Sequence, residues 1–412
     1  MTKTTRGDTS GGYRAVSIAL FLCLFAGQAA LIAMSPVLAD AASDLHVSTA
    51  AAGQLRSITG LAAGFTALTL GAVAGRVGLG RQLLAASALL AIASIASAAA
   101  PSFALLALAQ LPVGVAVAVL TTAGTLAAAE WVAPELRTRT LSWALVGQPA
   151  AWIVGMPLVG VLGERSWRYG WLALPLVAAA AAAILVASRA GQPPGQSRPT
   201  RARAALADRT LARWLASELL ANAAWAGTLV FAGALFAESY GTSTTLTGCL
   251  LAVAAVAYVA GNLLCRRLVR DEPRRVLVLL AVLLALTDGL FGTVRTSVTT
   301  STALFAGAAV VAGGRALVAS AFGLATTPEI RPAVMALRAA TMQFGYFAGS
   351  IAGGAALAVG GYSALGATMG ALFLAAAATL ALDPASRRAA TEQGAALPRA
   401  RALLPVLYRA RG

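Results

Sequence analysis

Apolar residues in this chain come in long runs, and polar residues are confined to the short stretches between them. Twelve runs can be drawn, over 15–38, 50–74, 82–99, 103–128, 140–163, 169–188, 212–237, 245–265, 275–292, 299–325, 334–359 and 363–382. Most reach the ~20 residues that carry an α-helix across a ~30 Å hydrocarbon core. The runs at 82–99 and 275–292 are near the short end, which leaves a count of ten or eleven open. In lipid only helices and closed barrels satisfy their own backbone. These runs are too long and too evenly apolar for the alternating strands of ~10 residues that build membrane barrels. The pattern therefore predicts an all-α membrane protein of about twelve transmembrane helices.

Composition agrees: 59% of the 412 residues are hydrophobic and 11% charged, against about 25% charged in a soluble domain. A net charge of +16 raises the question of nucleic acid. The arginines, however, sit at the ends of apolar runs rather than along one soluble face, so no nucleic-acid partner is expected. Their distribution instead predicts orientation. Alternate loops, including both tails and the 189–213 stretch, hold 26 of the 31 Lys and Arg, counting Arg331 and Arg338 as one turn. The opposite loops hold Arg165, Arg168 and Arg295, and Arg56 and Arg315 fall inside helices. The positive-inside rule then places both termini in the cytoplasm of a bacterial inner membrane. The expected organisation is a cytoplasmic tail over 1–14, a six-helix bundle over 15–188, a cytoplasmic linker over 189–211, a second six-helix bundle over 212–382 and a basic cytoplasmic tail over 383–412. The first apolar run is longer than a signal-peptide core, so no cleaved leader is expected.

Little points to an enzyme. Cys23, Cys249 and Cys265 match no metal or redox spacing and read as small apolar residues. His46 is the only histidine. No nucleophile triad, paired metal ligands, phosphate loop or dinucleotide fingerprint is present. Neither a metal nor a cofactor is expected.

An offset of 194 residues superposes the two halves. Pro134, Glu135 and Arg137 fall on Pro328, Glu329 and Arg331; Gly155 and Gly160 on Gly349 and Gly354; Arg76 and Arg81 on Arg270 and Arg275. An offset that moves helix 2 onto helix 8 keeps the membrane orientation, which makes the repeat a parallel one.

The turn Gly71-Ala-Val-Ala-Gly75-Arg76-Val-Gly78-Leu-Gly80-Arg81 resembles the signature loop of the major facilitator superfamily. The family's loop uses basic residues and tight glycine turns to lock helices 2 and 11 in one alternating-access state. Gly75 stands where the family has Asp, so the charge-relay part of that role does not carry over. Gln110, four before Gly114, stands where many exporters have Arg. Gly147 and the run Gly155-Met156-Pro157-Leu158-Val159-Gly160 are similar to the antiporter motif of the twelve-helix drug:proton antiporters, although small-residue packing explains them too. The resemblance spans 15–382. It implies two six-helix bundles around one midplane site, alternating access, a small-molecule substrate and protons as partners in a lipid bilayer, and no obligate protein partner. The leading expectation is proton-exchanging export of a small amphipathic compound. A facilitator or symporter importing a nutrient is the alternative, and a non-transporting sensor or scaffold a further one.

Ionisable groups inside spans cost ~2.5–3.5 kcal/mol each at the membrane centre, so each calls for a role. Glu218 in helix 7 reads as a proton carrier or a structural ion pair, and Arg315 in helix 10 as its partner or as a receptor for an anionic substrate group. Asn222 shares a helix face with Glu218, and Trp225 follows on much the same side. With Gln28, Gln148 and Gln343 they form the expected substrate-contacting set. Arg56, early in helix 2, reads either as a gate-closing partner of Asp40 or Asp44 near the outer surface or as a snorkelling arginine. The gating set is Gly71, Arg76, Gly78, Arg81, Gly147, Gly155, Pro157, Gly160, Arg270 and Arg275.

Overall fold

A computed structural model of the chain describes residues 6–73, 77–188, 206–266, 272–327 and 330–382. Among the described residues there is no strand; the regular structure is helical. Ten helices are long and apolar enough to cross a membrane. One of these is two spans: within Arg331–Ala381 the chain leaves helical geometry at Gly360 and Gly361, and Gly361 takes φ 63°, a left-handed value that a side chain opposes. Gln54–Val73 adds another helix of 20 residues, which brings the spans to twelve.

In chain order they are α1 Arg6–Ile32, α2 Gln54–Val73, α3 Leu79–Ala99, α4 Phe103–Glu130, α5 Arg137–Gly163, α6 Arg168–Ala187, α7 Arg209–Tyr240, α8 Thr244–Leu264, α9 Pro273–Thr293 and α10 Val298–Leu324. The two parts of the last helix, 331–359 and 362–381, are α11 and α12. Their ends fall where polar side chains can replace missing backbone partners. Ser102, Ser243 and Ser297 accept from the amides of Leu105, Leu246 and Thr300, and Asp208 accepts from those of Thr210 and Leu211. The run predicted over 15–38 is bent rather than straight. After Ile32 come a single 3-10 turn, Ser35–Val37, and a short helix, Leu38–Asp44, because Pro36 has no amide to continue α1.

Helices α1 to α6 pack on one another and α7 to α12 on one another. Lipid tails are as apolar as the helix surfaces, so these contacts depend on close fit rather than on hydrophobic exclusion. A Cβ on Gly114 of α4 would stand 2.4 Å from the Thr59 carbonyl of α2, and one on Gly313 of α10 would stand 1.9 Å from the Tyr258 carbonyl of α8. Large apolar side chains face outward instead, among them Ile92, Leu176 and Cys249's neighbour Leu246. Cys249 is itself exposed rather than a core residue.

The bundles meet along two seams, α2 on α11 and α5 on α8. The seams obey the repeat. Gly160 of α5 lies against the Thr244 backbone of α8, and its counterpart Gly354 of α11 lies against Ala50 and Gln54 at the start of α2. Within the bundles, Gly155 meets Ile32 at the end of α1, and its counterpart Gly349 meets Ala223 of α7. Exchanging the halves exchanges the contacts, as a parallel repeat requires.

Candidate functional site

Odd-numbered helices start, and even-numbered ones finish, at the end of the molecule that carries the two tails, here the terminal face; the opposite end is the loop face. One charged cluster is buried between α7, α10 and α11. Glu218 is 1% exposed and both of its oxygens are engaged: Oε1 with an Arg315 guanidinium nitrogen at 2.8 Å and Oε2 with Arg338 Nε at 3.0 Å. Arg315 also donates to the Ser217 carbonyl at 3.5 Å, and Arg338 to that of Ala316 at 3.4 Å. Sequence reasoning paired Glu218 with Arg315 but counted Arg338 in a basic turn. That count is corrected here: α11 starts at Arg331, so Arg338 stands two turns inside the helix and points its charge at Glu218. A carboxylate with both oxygens held by guanidiniums has none free for a travelling proton, and the geometry favours the structural ion pair over the proton carrier.

A second acid is arranged differently. Asp288 of α9, absent from the residues expected to carry function, is 1% exposed. It accepts a hydrogen bond from Thr228 of α7 through Oδ2, while Oδ1 has no partner. No cationic side chain among the described residues lies within ion-pair distance of it.

Between the bundles lies a small cavity lined by Leu31 and Ser35 from the α1 end, Arg56 of α2, Trp152 of α5, Leu229 of α7 and Tyr346 of α11, among others. Arg56 does not close a gate with Asp40 or Asp44. Asp44 is taken by Arg168 and by Trp167 Nε1 at 2.9 Å, and the Arg56 guanidinium lies over the Tyr346 ring, 4.4 Å from its centroid.

The five expected substrate residues do not line this cavity; each stands one helical turn from a residue that does. Gln28 precedes Leu31, Gln148 precedes Trp152, Asn222 precedes Ala226, Trp225 precedes Leu229 and Gln343 precedes Tyr346. Three or four residues is one turn on the same helix face, and on odd-numbered helices the earlier residue is nearer the terminal face. They form a ring on the terminal side of the cavity. Asn222 donates to the Glu218 carbonyl at 2.7 Å. Trp225 stacks with Tyr258 and Phe305. Gln343 is buried with Oε1 unpartnered, whereas Gln28 and Gln148 are half-buried.

Of the gating set, Arg76 and Arg270 lie outside the described residues, as does Gly75. Gly71 is in the last turn of α2, Gly78 caps α3, Arg81 is exposed in its first turn, and Arg275 pairs with Glu272 at 2.7 Å. The α5 residues are the informative ones. The helix widens into a π-turn over Ala151–Gly155, just before Pro157, whose missing amide could not bond the Ile153 carbonyl. Gly147 packs on the Phe21 backbone of α1 below the bulge, and Gly160 on α8 above it.

The loop face is sealed. Gln54 Nε2 donates to the Ser350 carbonyl at 3.0 Å across the α2–α11 seam. Glu238 at the end of α7 accepts from Tyr362 at 2.8 Å and also from Thr49 of the other bundle. Glu164, at the end of α5, accepts from the Thr245 amide at the start of α8 at 3.0 Å. That amide, with the nearby hydroxyls, holds the Glu164 carboxyl below its usual value. Its contribution is thus full above the ordinary carboxylate range and fades only as pH falls through the lowered value. Glu164→Gln is expected to weaken this seal. In a cysteine-free background with Ser35→Cys, labelling by an impermeant maleimide from the loop face should rise several-fold; an unchanged rate would refute the clasp.

The family model described as Major Facilitator Superfamily matches residues 17–270 and 214–411. No curated protein matches. Among solved structures, the chain is similar to a bacterial homolog of the human lysosomal transporter Spinster in an inward-facing and occupied conformation, at TM-score 0.74 and 17% identity over 91% of this chain and 97% of that one. It is also similar to the nucleoside transporter NupG, at TM-score 0.73 and 16% identity over 90% and 98%.

Proposed function

The chain belongs to the major facilitator superfamily, and we propose that it exports a small amphipathic organic compound in exchange for protons. The basic residues of alternate loops support a terminal face in the cytoplasm of a bacterial inner membrane, and on that reading the contacts across the loop face make this an inward-facing state. Rocking of one bundle against the other would break the α2–α11 and α5–α8 contacts and form new ones at the terminal face. The observation that carries the direction is α5: its π-turn, flanked by Gly147 and Gly160, joins both bundles through the segment that resembles the exporters' antiporter motif.

The proton is better assigned to Asp288 than to Glu218. Asp288 has an unpartnered buried oxygen, no cation beside it, and a hydrogen bond to Thr228 on a helix that faces the cavity. Inverted vesicles energised to an acid interior, with a pH-sensitive dye and a panel of amphipathic cations, anions and neutral compounds, test the whole reading. At least one compound should dissipate the gradient with the wild-type chain and fail to do so with Asp288→Asn. A response that survives Asp288→Asn but is lost in a Glu218→Gln chain that is still folded by its melting midpoint would return the proton to Glu218. Labelled compounds that equilibrate without moving protons would establish a facilitator and end the exporter reading.

A further inference from the structure

Among the described residues, the one charged side chain lining the central cavity is Arg56, and its chemistry is incomplete. A guanidinium presents five N–H donors in one plane and a face on either side. Tyr346 covers a face, at 4.4 Å, which holds the plane in place but uses none of the donors. One terminal nitrogen is fully buried and has no hydrogen-bond partner. Among the described residues no carboxylate pairs with Arg56: Asp44 and Glu218 have other arginines, and Glu238 is held by Thr49 and Tyr362. An uncompensated cation away from water is among the costliest arrangements in a membrane helix, so Arg56 calls for a partner that the described residues do not supply.

The surroundings define that partner. The Glu218 cluster, inside the second bundle between α7, α10 and α11, carries two guanidiniums to one carboxylate; it adds positive potential and has no acid to spare. Leu31, Leu229 and Trp152 give the cavity apolar and aromatic walls beside Arg56, and Ser35 and Tyr346 bring hydroxyls to it. A bare inorganic anion would satisfy the arginine and leave those walls empty. An organic cation would meet like charge. We propose that Arg56, held edge-on by Tyr346, binds the carboxylate or equivalent anionic group of an amphipathic aromatic substrate whose body lies against Trp152 and Leu229. The inference rests on the transporter reading for its purpose, since it names the class of solute carried. A guanidinium engages a carboxylate through two parallel N–H···O bonds, so the unpartnered nitrogen is the one a second bond would use.

The test measures binding, apart from transport. Purified full-length chain in nanodiscs of neutral lipid is equilibrated with 2-naphthoate, 2-naphthamide and 2-naphthylmethylammonium, three probes of one shape and different charge. The wild-type chain should bind the carboxylate about tenfold tighter than the amide, and the ammonium least. Arg56→Gln should remove the preference by weakening the carboxylate alone, with amide affinity unchanged; Arg56→Lys should keep part of it. Equal affinities across the three probes, no carboxylate binding, or a preference that survives Arg56→Gln would each overturn the site. The wild-type ranking decides the matter even if a variant fails to fold. A chain that shows the ranking but moves no compound or proton in vesicles would overturn the export reading and leave the anion site standing.

Discussion

Glu218→Gln is expected to cost the folded chain about 3–5 kcal/mol, read as a large fall in its thermal unfolding midpoint in detergent. The cost comes from charge left unbalanced at a largely buried site. Glu218 is 1% exposed and stands between Arg315 and Arg338, whose side chains are 7% and 20% exposed. With the carboxylate, the three groups sum to one positive charge; with the amide, two guanidiniums face each other with no acid between α7, α10 and α11. Removing an arginine is milder, since Glu218 keeps a neutral pair with the one that remains. Arg338→Gln leaves the 2.8 Å pair with the more buried Arg315, so it should cost least, and Arg315→Gln should lie between. The double variant Glu218→Gln/Arg338→Gln leaves one unpaired cation rather than two and should unfold later than Glu218→Gln alone. If Glu218→Gln melts with the wild-type midpoint, or if Arg338→Gln is the worst of the three, the cluster is not the electrostatic keystone of the second bundle.

Arg338 also marks where sequence reasoning stopped. Apolar length is a strong signal, and helix ends read from it fall within a few residues of those observed, as for 103–128 against Phe103–Glu130 and 245–265 against Thr244–Leu264. The parallel repeat is legible too, because Gly155 and Gly160 recur at one offset as Gly349 and Gly354, and Gly160 and Gly349 each press on a neighbouring backbone. A charge near a helix start gives no such signal. Arg331 and Arg338 look alike in a list of basic residues, and the positive-inside pattern absorbs both. What separates them is seven residues of helix, two turns and ~10 Å of rise, which is enough to carry Arg338 from the membrane surface to Glu218. The sequence-level cue was the apolar run Ala333–Leu337 between them, which places the second arginine within the span. Asp288 was missed for the converse reason: its helix is peripheral in the fold, yet its side chain points inward to Thr228. Helix membership does not specify direction. The expected substrate residues stand one turn from the cavity lining, because polarity selects them and the cavity is lined chiefly by apolar residues together with a single arginine.

Gly160→Val is expected to abolish transport, by roughly 10–100-fold, while leaving the melting midpoint close to wild type. A Cβ at Gly160 would lie 2.4 Å from the Thr244 carbonyl, which is backbone and cannot swing aside. Overpacking of this kind costs ~1–3 kcal/mol, and ~1.4 kcal/mol shifts a two-state population tenfold. The clash is between bundles, so rocking them apart at the loop face removes it without unpacking either one. The state sealed at the loop face is therefore lost and the other state kept, and alternating access needs both. Gly354→Val, at the repeat-related position, should act in the same direction but less: a new Cβ there meets the flexible end of Gln54 first, with the Ala50 carbonyl at 3.0 Å. Gly313→Val makes the contrast. Its Cβ would meet the Tyr258 carbonyl at 1.9 Å inside one bundle, where no rigid rotation gives relief, so the cost should appear as lost folded protein. The discriminating measurement is loop-face maleimide labelling of Ser35→Cys beside the melting midpoint for all three variants. Raised labelling at an unchanged midpoint for Gly160→Val, and a lowered midpoint for Gly313→Val, are the expected pair. A low midpoint for Gly160→Val would make the α5–α8 seam part of the folded core, and the two bundles could not then separate along it.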